Sequence, residues 1–185
     1  GTMTDGTYDM IILCLHQRIA IQMVQEALPK IPAGTILVDT CGLKGRMVRD
    51  LTYRCRKADV RYVGTHPMAG REKNGYYASI PNLFQNANLI VTPVDGTDEA
   101  ALDTVKELAD QMGFGKIVTA TPMWHDNMIA YTSQLAHVVS SSYVKDFCMD
   151  DALSFSGGSF QDMTRVATMD ESMWAALFQI GRAHV

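Results

Sequence analysis

Residues 9–15 read Asp-Met-Ile-Ile-Leu-Cys-Leu, a continuous apolar run that is followed by a helical pattern from Gln17 to Leu28. Apolar runs of this kind are typical of parallel strands that are buried on both faces. The same order repeats, with a strand predicted at 35–39, a helix at 44–58 and a strand at 60–64. Strands and helices in alternation predict parallel pairing with right-handed crossovers, so the first part of the chain is predicted to be α/β.

The pattern continues beyond the third strand and then changes. A short helix is predicted near 82–85, a strand at 88–92, a helix at 97–112 and a strand at 116–119. From Pro122 to about Asp146 the spacing predicts one long helix, and no strand signal follows it. The later part of the chain is therefore predicted to be all-helical.

This change predicts a domain boundary near residues 120–122. We expect a partial Rossmann-type, parallel-sheet dinucleotide-binding domain at 1–120 and the start of a helical domain at 121–179. The opening strand and glycine-rich G-x-G-x-x-G turn of such domains are not in the sequence, so their first βαβ unit is expected to be missing. Residues 180–185 match the translation of a common sequencing adapter, which predicts a fragment truncated at both ends with a non-native tail.

Composition and charge argue against two classes of partner. The chain has 185 residues, 47% of them hydrophobic, which is enough for a sizeable core. Its 16 basic and 20 acidic residues are interspersed, without the basic stripe of nucleic-acid-binding proteins. No apolar run approaches the roughly 20 residues that cross a bilayer, and no signal-peptide pattern is present. We expect neither nucleic acid nor a membrane as partner.

The four cysteines are far apart and form no C-x-x-C pair. They are Cys14, Cys41, Cys55 and Cys148. Most of them lie in apolar segments, where a reduced thiol packs as a small hydrophobic group. We therefore expect a cytoplasmic protein with no disulfide and no metal site.

His66 is the first candidate for chemistry, because it follows the third predicted strand at the start of the Pro- and Gly-containing loop 64–75. Open α/β sheets place ligand contacts at the ends of strands. Pro67 restricts the backbone of His66 to extended conformations. Two interpretations remain open: a general base or hydrogen-bond acceptor, and a loop histidine that caps a backbone carbonyl.

The long helix offers a second set of candidates. Asp126, Ser133 and His137 are seven and four residues apart, so they share one helical face. Polar groups on a buried face need partners, and a polar ligand would supply them. The alternative is a surface helix whose polar side faces water.

Arg165 follows a stretch with two adjacent glycines, Gly157 and Gly158, which allow close approach of the backbone to a ligand. Its guanidinium group can bind a carboxylate with two hydrogen bonds. The alternative is a surface arginine paired with Asp162 or Asp170. Composition alone favours the core for Trp174.

Four motifs together resemble the prephenate dehydrogenase family, including its arogenate-using members, over about residues 8–178. The most specific is Gly-Thr-His-Pro-Met-Ala-Gly at 64–70. The others are Asp-Thr-Cys-Gly-Leu-Lys-Gly at 39–45, His125-Asp126 with Ser-Gln-Leu-Ala-His at 133–137, and Gly-Gly-Ser-Phe-Gln-Asp-Met-Thr-Arg at 157–165 with Met173-Trp174. All four follow the family's order along the chain.

The resemblance implies an NAD- or NADP-dependent enzyme of tyrosine biosynthesis that acts as a homodimer. It also implies that residues 121–179 begin a helical substrate and dimerisation domain, with the active site in the cleft between the two domains. Hydride leaves the ring carbon that bears the hydroxyl group of prephenate, and the ring carboxylate leaves as carbon dioxide. The product is 4-hydroxyphenylpyruvate. Prephenate and arogenate both fit as substrate.

The resemblance also assigns roles to residues. His66 accepts the hydroxyl proton or a hydrogen bond, and Arg165 binds a substrate carboxylate. The other residues of the implied substrate pocket are Ser133, His137, Gly158 and Trp174. Supporting positions are Gly42, His125 and Asp126, where Asp126 orients a neighbouring histidine. The residues implied to lie near the nicotinamide are Leu15, His16, Asp39 and Thr40.

Three departures from the family pattern matter. Gly42 stands where several relatives have a serine, and Ser-Gln-Leu-Ala-His replaces the family's Ser-His-Leu-Pro-His. Without the phosphate-binding turn, the fragment is expected to be weakly active or inactive. Two rival functions are a β-hydroxy-acid dehydrogenase, for which Lys145 lies too near the end of the long helix, and a non-catalytic binding module.

Overall fold

The computed structural model describes residues 8–70, 77, 79–145, 149–167 and 174. The chain divides into two compact units, Gly1–Asp126 and Asn127–Val185. No helix among the described residues is long and apolar enough to span a bilayer.

The first unit is built on a five-stranded sheet in the order β1-β2-β3-β4-β5. The strands are β1 (Met10–Leu13), β2 (Ile36–Asp39), β3 (Arg61–Pro67), β4 (Asn88–Val91) and β5 (Lys116–Thr119). β1, β2 and β3 pair in parallel, as do β4 and β5, whereas β3 and β4 are antiparallel. This mainly parallel sheet confirms the predicted Rossmann-type α/β class.

Three helices connect the strands of this unit: α1 (Gln17–Ala27), α2 (Gly45–Lys57) and α3 (Glu99–Gln111). A short 3-10 helix, Leu28–Lys30, extends α1. α3 begins at Asp98, whose carboxylate accepts a hydrogen bond from the backbone N–H of Ala101 at 2.7 Å. This cap is of the kind that stabilises helix N-termini.

The two faces of the sheet belong to two separate hydrophobic clusters. Leu37 belongs to the cluster that contains α1 and α2, whereas its neighbours Ile36 and Val38 belong to the cluster that contains α3. This alternation follows from the two-residue period of a strand. Asp39 is next in the same alternation, and its carboxylate hydrogen-bonds to Tyr62, a member of the cluster with α1 and α2.

Two local predictions are wrong. Residues 81–86 form turns instead of the predicted short helix at 82–85, because so short a segment gains few hydrogen bonds for its lost backbone entropy. The expectation that the run at 9–15 is buried on both faces also fails in part, since Ile12 is 46% exposed. The reason is that β1 is the edge strand of the described sheet.

A long helical segment carries the chain into the second unit. α4 (Pro122–Ile129) continues through a π-helical stretch, Ala130–Gln134, into α5 (Leu135–Tyr143). The second unit also contains α6 (Met149–Ala152), a 3-10 helix at Leu153–Phe155, and α7 (Gly158–Arg165). Ser140 of α5 donates a hydrogen bond to the carbonyl of Met163 in α7 at 2.6 Å.

The core of the first unit yields a stability prediction. Leu51 of α2 is fully buried, so Leu51→Ala should lower the free energy of unfolding by about 2–5 kcal/mol through lost burial and the cavity left behind. Urea denaturation at fixed pH measures the change. Arg54→Ala, at an exposed position of the same helix, is the control and should shift stability by less than about 0.5 kcal/mol. Equal losses in the two variants would contradict the packing described here.

Candidate active site

His66 lies within β3, opposite Ile90 of β4. The prediction that it follows the end of the strand is therefore wrong. The strand continues past Gly64 because β4 supplies a new antiparallel partner for residues 65–67. Pro67, which has no N–H to donate, is the last residue of the strand, a position that tolerates proline.

A chain of three side chains leads away from His66. Its Nδ1 lies 2.9 Å from Nε2 of His125, and Nδ1 of His125 lies 2.7 Å from Oδ1 of Asp126. His125 and Asp126 are buried and His66 is partly buried. The structure thus brings together three of the residues that the sequence predicts to act together.

When both imidazoles are neutral, these contacts determine which nitrogen of His66 is free. A carboxylate only accepts, so Nδ1 of His125 donates to Asp126. Nε2 of a neutral His125 is then an acceptor, and Nδ1 of His66 donates to it. Nε2 of His66 therefore carries a lone pair and no proton, which is the state required of a general base.

Asp126 also caps the N-terminus of α2. Its two carboxylate oxygens accept hydrogen bonds from the backbone N–H of Lys44 at 2.7 Å and of Gly45 at 2.8 Å. A carboxylate is stabilised at a helix N-terminus by unpaired N–H groups and by the helix dipole. Burial raises the pKa of Asp126, but the hydrogen bonds from His125, Lys44 and Gly45 outweigh it and lower the pKa.

The surroundings of His66 disfavour its protonated form. Burial, then His125, and then the ammonium group of Lys44 lower the pKa of His66 to about 3, against an opposing effect of Asp126. Its imidazole is therefore neutral at physiological pH.

A buried ion pair, to which the sequence analysis assigned no role, lies close to His66. The ammonium group of Lys44 pairs with Asp39, and neither side chain has exposed surface. The same ammonium group donates to the carbonyl of Thr65 at 2.5 Å. Asp39 also accepts hydrogen bonds from the hydroxyl of Tyr62 at 2.6 Å and from the N–H of Cys41 at 2.8 Å. The only sequence signal was a lysine close after an aspartate that ends a buried strand.

The residues predicted to lie near the cofactor differ in exposure. Leu15 and His16 are exposed at the start of α1, and Thr40 is partly buried, with its hydroxyl 3.2 Å from the carbonyl of Leu13. The carboxylate of Asp39 is fully buried and held by three donors, so it is not available to a cofactor. The cofactor role predicted for Asp39 is corrected here, because the whole residue is buried and its backbone carbonyl accepts a hydrogen bond from the hydroxyl of Thr65 at 2.6 Å.

Cys41 is the thiol of this region. Burial, and then the charge of Asp39, raise the pKa of Cys41 to about 12. The thiol stays protonated at neutral pH, so it is not a nucleophile there.

In the second unit, His137 and Trp174 form a stacked pair with ring centroids 3.8 Å apart. Nδ1 of His137 lies 2.9 Å from the carbonyl of Ser133, one turn earlier, to which it donates. Trp174 is buried, as its residue type suggested. Gly158 and Arg165 are the first and last residues of α7.

The polar side of the helical segment in the second unit is its buried side. Gln134 and Ser140 are buried, and Ser133 and His137 are partly buried. Ile129 is buried, but most large apolar residues on this segment are exposed: Met128, Tyr131, Leu135, Val138, Val139 and Tyr143. The alternative that the polar side faces water is therefore wrong. Gln134, which the sequence analysis did not single out, has a buried Nε2 without a hydrogen-bond partner among the described residues.

Comparison with known protein families decides the family. Residues 4–119 match the prephenate dehydrogenase nucleotide-binding domain, and residues 121–185 match the prephenate dehydrogenase dimerization domain. The chain belongs to the prephenate dehydrogenase family. This confirms the resemblance seen in the four motifs.

Individual relatives agree with the family match. A cyclohexadienyl dehydrogenase of Zymomonas mobilis is 31% identical over 90% of this chain, and a prephenate dehydrogenase of Bacillus subtilis is 31% identical over 75% of it. Among solved structures, prephenate dehydrogenase of Aquifex aeolicus in complex with hydroxyphenyl propionate and NAD+ is 28% identical over 98% of this chain, with a TM-score of 0.81. The chain spans 58%, 38% and 64% of these three relatives.

The lowered pKa of His66 predicts a pH dependence of stability. Its pKa is about 3 in the folded chain against an ordinary value of 6.5, so the unfolded chain takes up the proton first as the pH falls. The stability difference between the wild-type chain and His66→Asn should be constant above pH 6.5 and should move against wild type from pH 6.5 down to about 3. Urea denaturation across this range measures it. A difference that does not change with pH would contradict a neutral, buried His66.

Substitution by serine should have different effects at two glycines of this prephenate dehydrogenase family chain, Gly42 and Gly45. A β-carbon at Gly42 would lie 3.8 Å from Nε2 of His66, an ordinary contact, whereas one at Gly45 would lie 2.9 Å from a carboxylate oxygen of Asp126. Gly42→Ser should therefore fold normally and place a hydroxyl group within reach of His66, whereas Gly45→Ser should displace Asp126 and lower stability by about 1–3 kcal/mol. Thermal unfolding compares the two variants. Equal stabilities would show that Asp126 does not depend on Gly45.

Proposed function

We propose that the protein is a prephenate dehydrogenase, which converts prephenate to 4-hydroxyphenylpyruvate and carbon dioxide and transfers hydride to NAD or NADP. The observation that carries the proposal is the hydrogen-bonded chain from His66 through His125 to Asp126, which leaves Nε2 of a neutral His66 as the acceptor. The family match and the relatives named prephenate and cyclohexadienyl dehydrogenase support it.

The reaction requires a base at the substrate hydroxyl group. As hydride leaves the carbon that bears this hydroxyl, the O–H proton passes to Nε2 of His66 and the oxygen becomes a carbonyl. The bond from the ring to its carboxylate then breaks and carbon dioxide leaves. The electron pair of that bond makes the ring aromatic and turns the carbonyl oxygen into a phenolate, which takes the proton back to give the phenol of 4-hydroxyphenylpyruvate. A positioned base typically accelerates such a step by about 10²–10⁴.

The contacts of His66 give the accepted proton a path away from the reacting oxygen. Once Nε2 of His66 is protonated, the proton on its Nδ1 can pass to Nε2 of His125, 2.9 Å away. The resulting imidazolium of His125 lies against the carboxylate of Asp126. The negative charge therefore stabilises the proton one residue beyond the base.

The cofactor, when bound, supplies the hydride acceptor. Leu15, His16 and Thr40, at the carboxyl ends of β1 and β2, are the residues that would hold the nicotinamide, because ligands bind at such strand ends in α/β sheets. The exposed surfaces of Leu15 and His16 fit this role. The Aquifex aeolicus relative, which is in complex with NAD+, supports it.

The second unit is proposed to bind the substrate. Arg165 would pair with a carboxylate, since its guanidinium stays charged and can donate two parallel hydrogen bonds. The other proposed contacts are Ser133, His137, Gly158 and Trp174. In a neutral His137, donation from Nδ1 to the carbonyl of Ser133 leaves Nε2 as an acceptor for a substrate hydroxyl group. The relative named cyclohexadienyl dehydrogenase supports a cyclohexadiene substrate, a class that includes both prephenate and arogenate.

We further propose that the protein is a homodimer. The match of residues 121–185 to a dimerization domain supports this. So do the exposed apolar side chains of the second unit, because monomers rarely leave large apolar patches open to water.

Substitution of the base tests the proposal. In the full protein that contains the chain, His66→Ala should lower kcat for prephenate by about 10²–10⁴ and change KM little, because the lost interaction is with the transferring proton. The formation of reduced cofactor is followed with NAD and with NADP. Arg54→Ala, at an exposed position of α2, is the control. A folded His66→Ala protein with the wild-type kcat would remove His66 from catalysis.

Ligand binding separates the rival functions. Prephenate, arogenate and an unrelated β-hydroxy acid are titrated into the same protein with and without cofactor. Prephenate dehydrogenase activity requires binding and turnover of prephenate. Turnover of the β-hydroxy acid alone, or binding without any turnover, would favour one of the two rivals.

A further inference from the structure

Lys44 contacts three elements of the first unit from a position without solvent exposure. Its ammonium group pairs with Asp39 at the end of β2 and donates to the carbonyl of Thr65 in β3 at 2.5 Å. Its backbone N–H donates to Oδ1 of Asp126 in α4 at 2.7 Å. One residue thus joins the ends of two strands to the helix that carries His125 and Asp126.

These bonds form a closed ring around the proposed base. The ring passes from the ammonium group of Lys44 to Thr65, along the chain to His66, across to His125 and Asp126, and back to the N–H of Lys44. The ring therefore fixes His66 in two ways, through its own peptide and through its imidazole. Lys44 is the only member of the ring that helps to hold both the peptide and the imidazole of His66.

We propose that Lys44 is a positioning residue for His66, which uses its ammonium group to hold the peptide before His66 and its N–H to hold the carboxylate that orients the imidazole. The proposal rests on the proposed function, because that function is what makes His66 a base. It concerns the geometry and protonation of His66, which are measurable without substrate or cofactor.

Stability alone does not require a lysine here. Removing two charges from water costs more than their attraction usually returns, and apolar side chains of similar volume often replace buried ion pairs without loss of stability. Cys41 and Tyr62, which hydrogen-bond to the carboxylate that pairs with Lys44, belong to the apolar cluster with α1 and α2, so an apolar side chain in place of Lys44 would lie beside apolar groups. The ammonium group of Lys44 is better explained by its hydrogen bond to Thr65, the residue before His66.

Among the described residues, the charged and titratable groups that act on the pKa of His66 come from the N-terminus of α2 and from α4. Lys44 lies directly before α2, and its ammonium group pairs with Asp39 of β2. His125 and Asp126 approach from α4. The charge of Lys44 opposes protonation of His66, and Asp126 favours it. Lys44 therefore supports the neutral imidazole both by geometry and by charge.

The test uses the 185-residue chain with ¹⁵N-labelled histidine, and NMR reports the tautomer and the pKa of His66. Two variants remove the ammonium group at constant volume: Lys44→Met, and the double variant Asp39→Asn with Lys44→Met, which leaves no unpaired buried charge. The control is Lys106→Met, which removes a lysine whose ion pair with Asp103 is exposed.

We expect wild type and Lys106→Met to show His66 protonated at Nδ1 alone. In either folded Lys44 variant, the Nε2-protonated tautomer should appear, and the proton affinity of His66 should rise by about tenfold, one pKa unit. A folded Lys44 variant with the wild-type tautomer and pKa of His66 would overturn the proposal.

If both variants fail to fold, the wild-type chain still decides. The ammonium protons of Lys44 should exchange with water far more slowly than those of Lys106, because Lys44 is buried and hydrogen-bonded. Equal exchange rates would overturn the proposal. Failure of the dehydrogenase assay would leave these NMR results readable, so the two proposals fail independently.

Discussion

The carboxylate of Asp126, bound at the N-terminus of α2, is the interaction on which the described active-site geometry depends. It accepts hydrogen bonds from the backbone N–H groups of Lys44 and Gly45, at the start of α2, and from one imidazole N–H of His125. A helix N-terminus needs acceptors, and a buried carboxylate needs donors, so each satisfies the other. Because both demands are met at one point, the orientation of His125, and with it that of His66, follows from the hydrogen bonds between Asp126 of α4 and the N-terminus of α2.

The first unit keeps His66 neutral without making it inaccessible. Its burial is partial, and the groups that surround it are a second imidazole, an ammonium group and a carboxylate. An isolated buried imidazole would also be neutral, but nothing would set its tautomer. The hydrogen bond to His125 sets the tautomer of His66, and Asp126 sets that of His125. One histidine alone could accept a proton, but the other two residues are needed to fix which of its nitrogens does so.

The second unit reverses the usual polarity of a surface helix. Its polar side chains Gln134 and Ser140 are buried, while Tyr131 and Leu135 are exposed. Burial of polar groups is stable only when they find partners, and exposure of apolar groups only when something covers them. Ser140 already donates to the carbonyl of Met163, whereas a bound substrate would supply a partner for the amide of Gln134 and a second subunit would cover the exposed apolar side chains. The same reversal therefore supports both proposals for this unit.

The sequence by itself determined the α/β class, the all-helical pattern after residue 122, and most of the residues proposed to act, because apolar periodicity and short motifs are local properties. It also predicted that Asp126 orients a histidine. Only the tertiary structure decided that β3 continues through His66, that the polar side of α5 is the buried one, and that Asp39 is bound by Lys44. Strand pairing, burial and ion pairing join residues far apart in the chain, such as Lys44 with Thr65 and Asp126, and a local pattern contains no information about which distant group a side chain will meet.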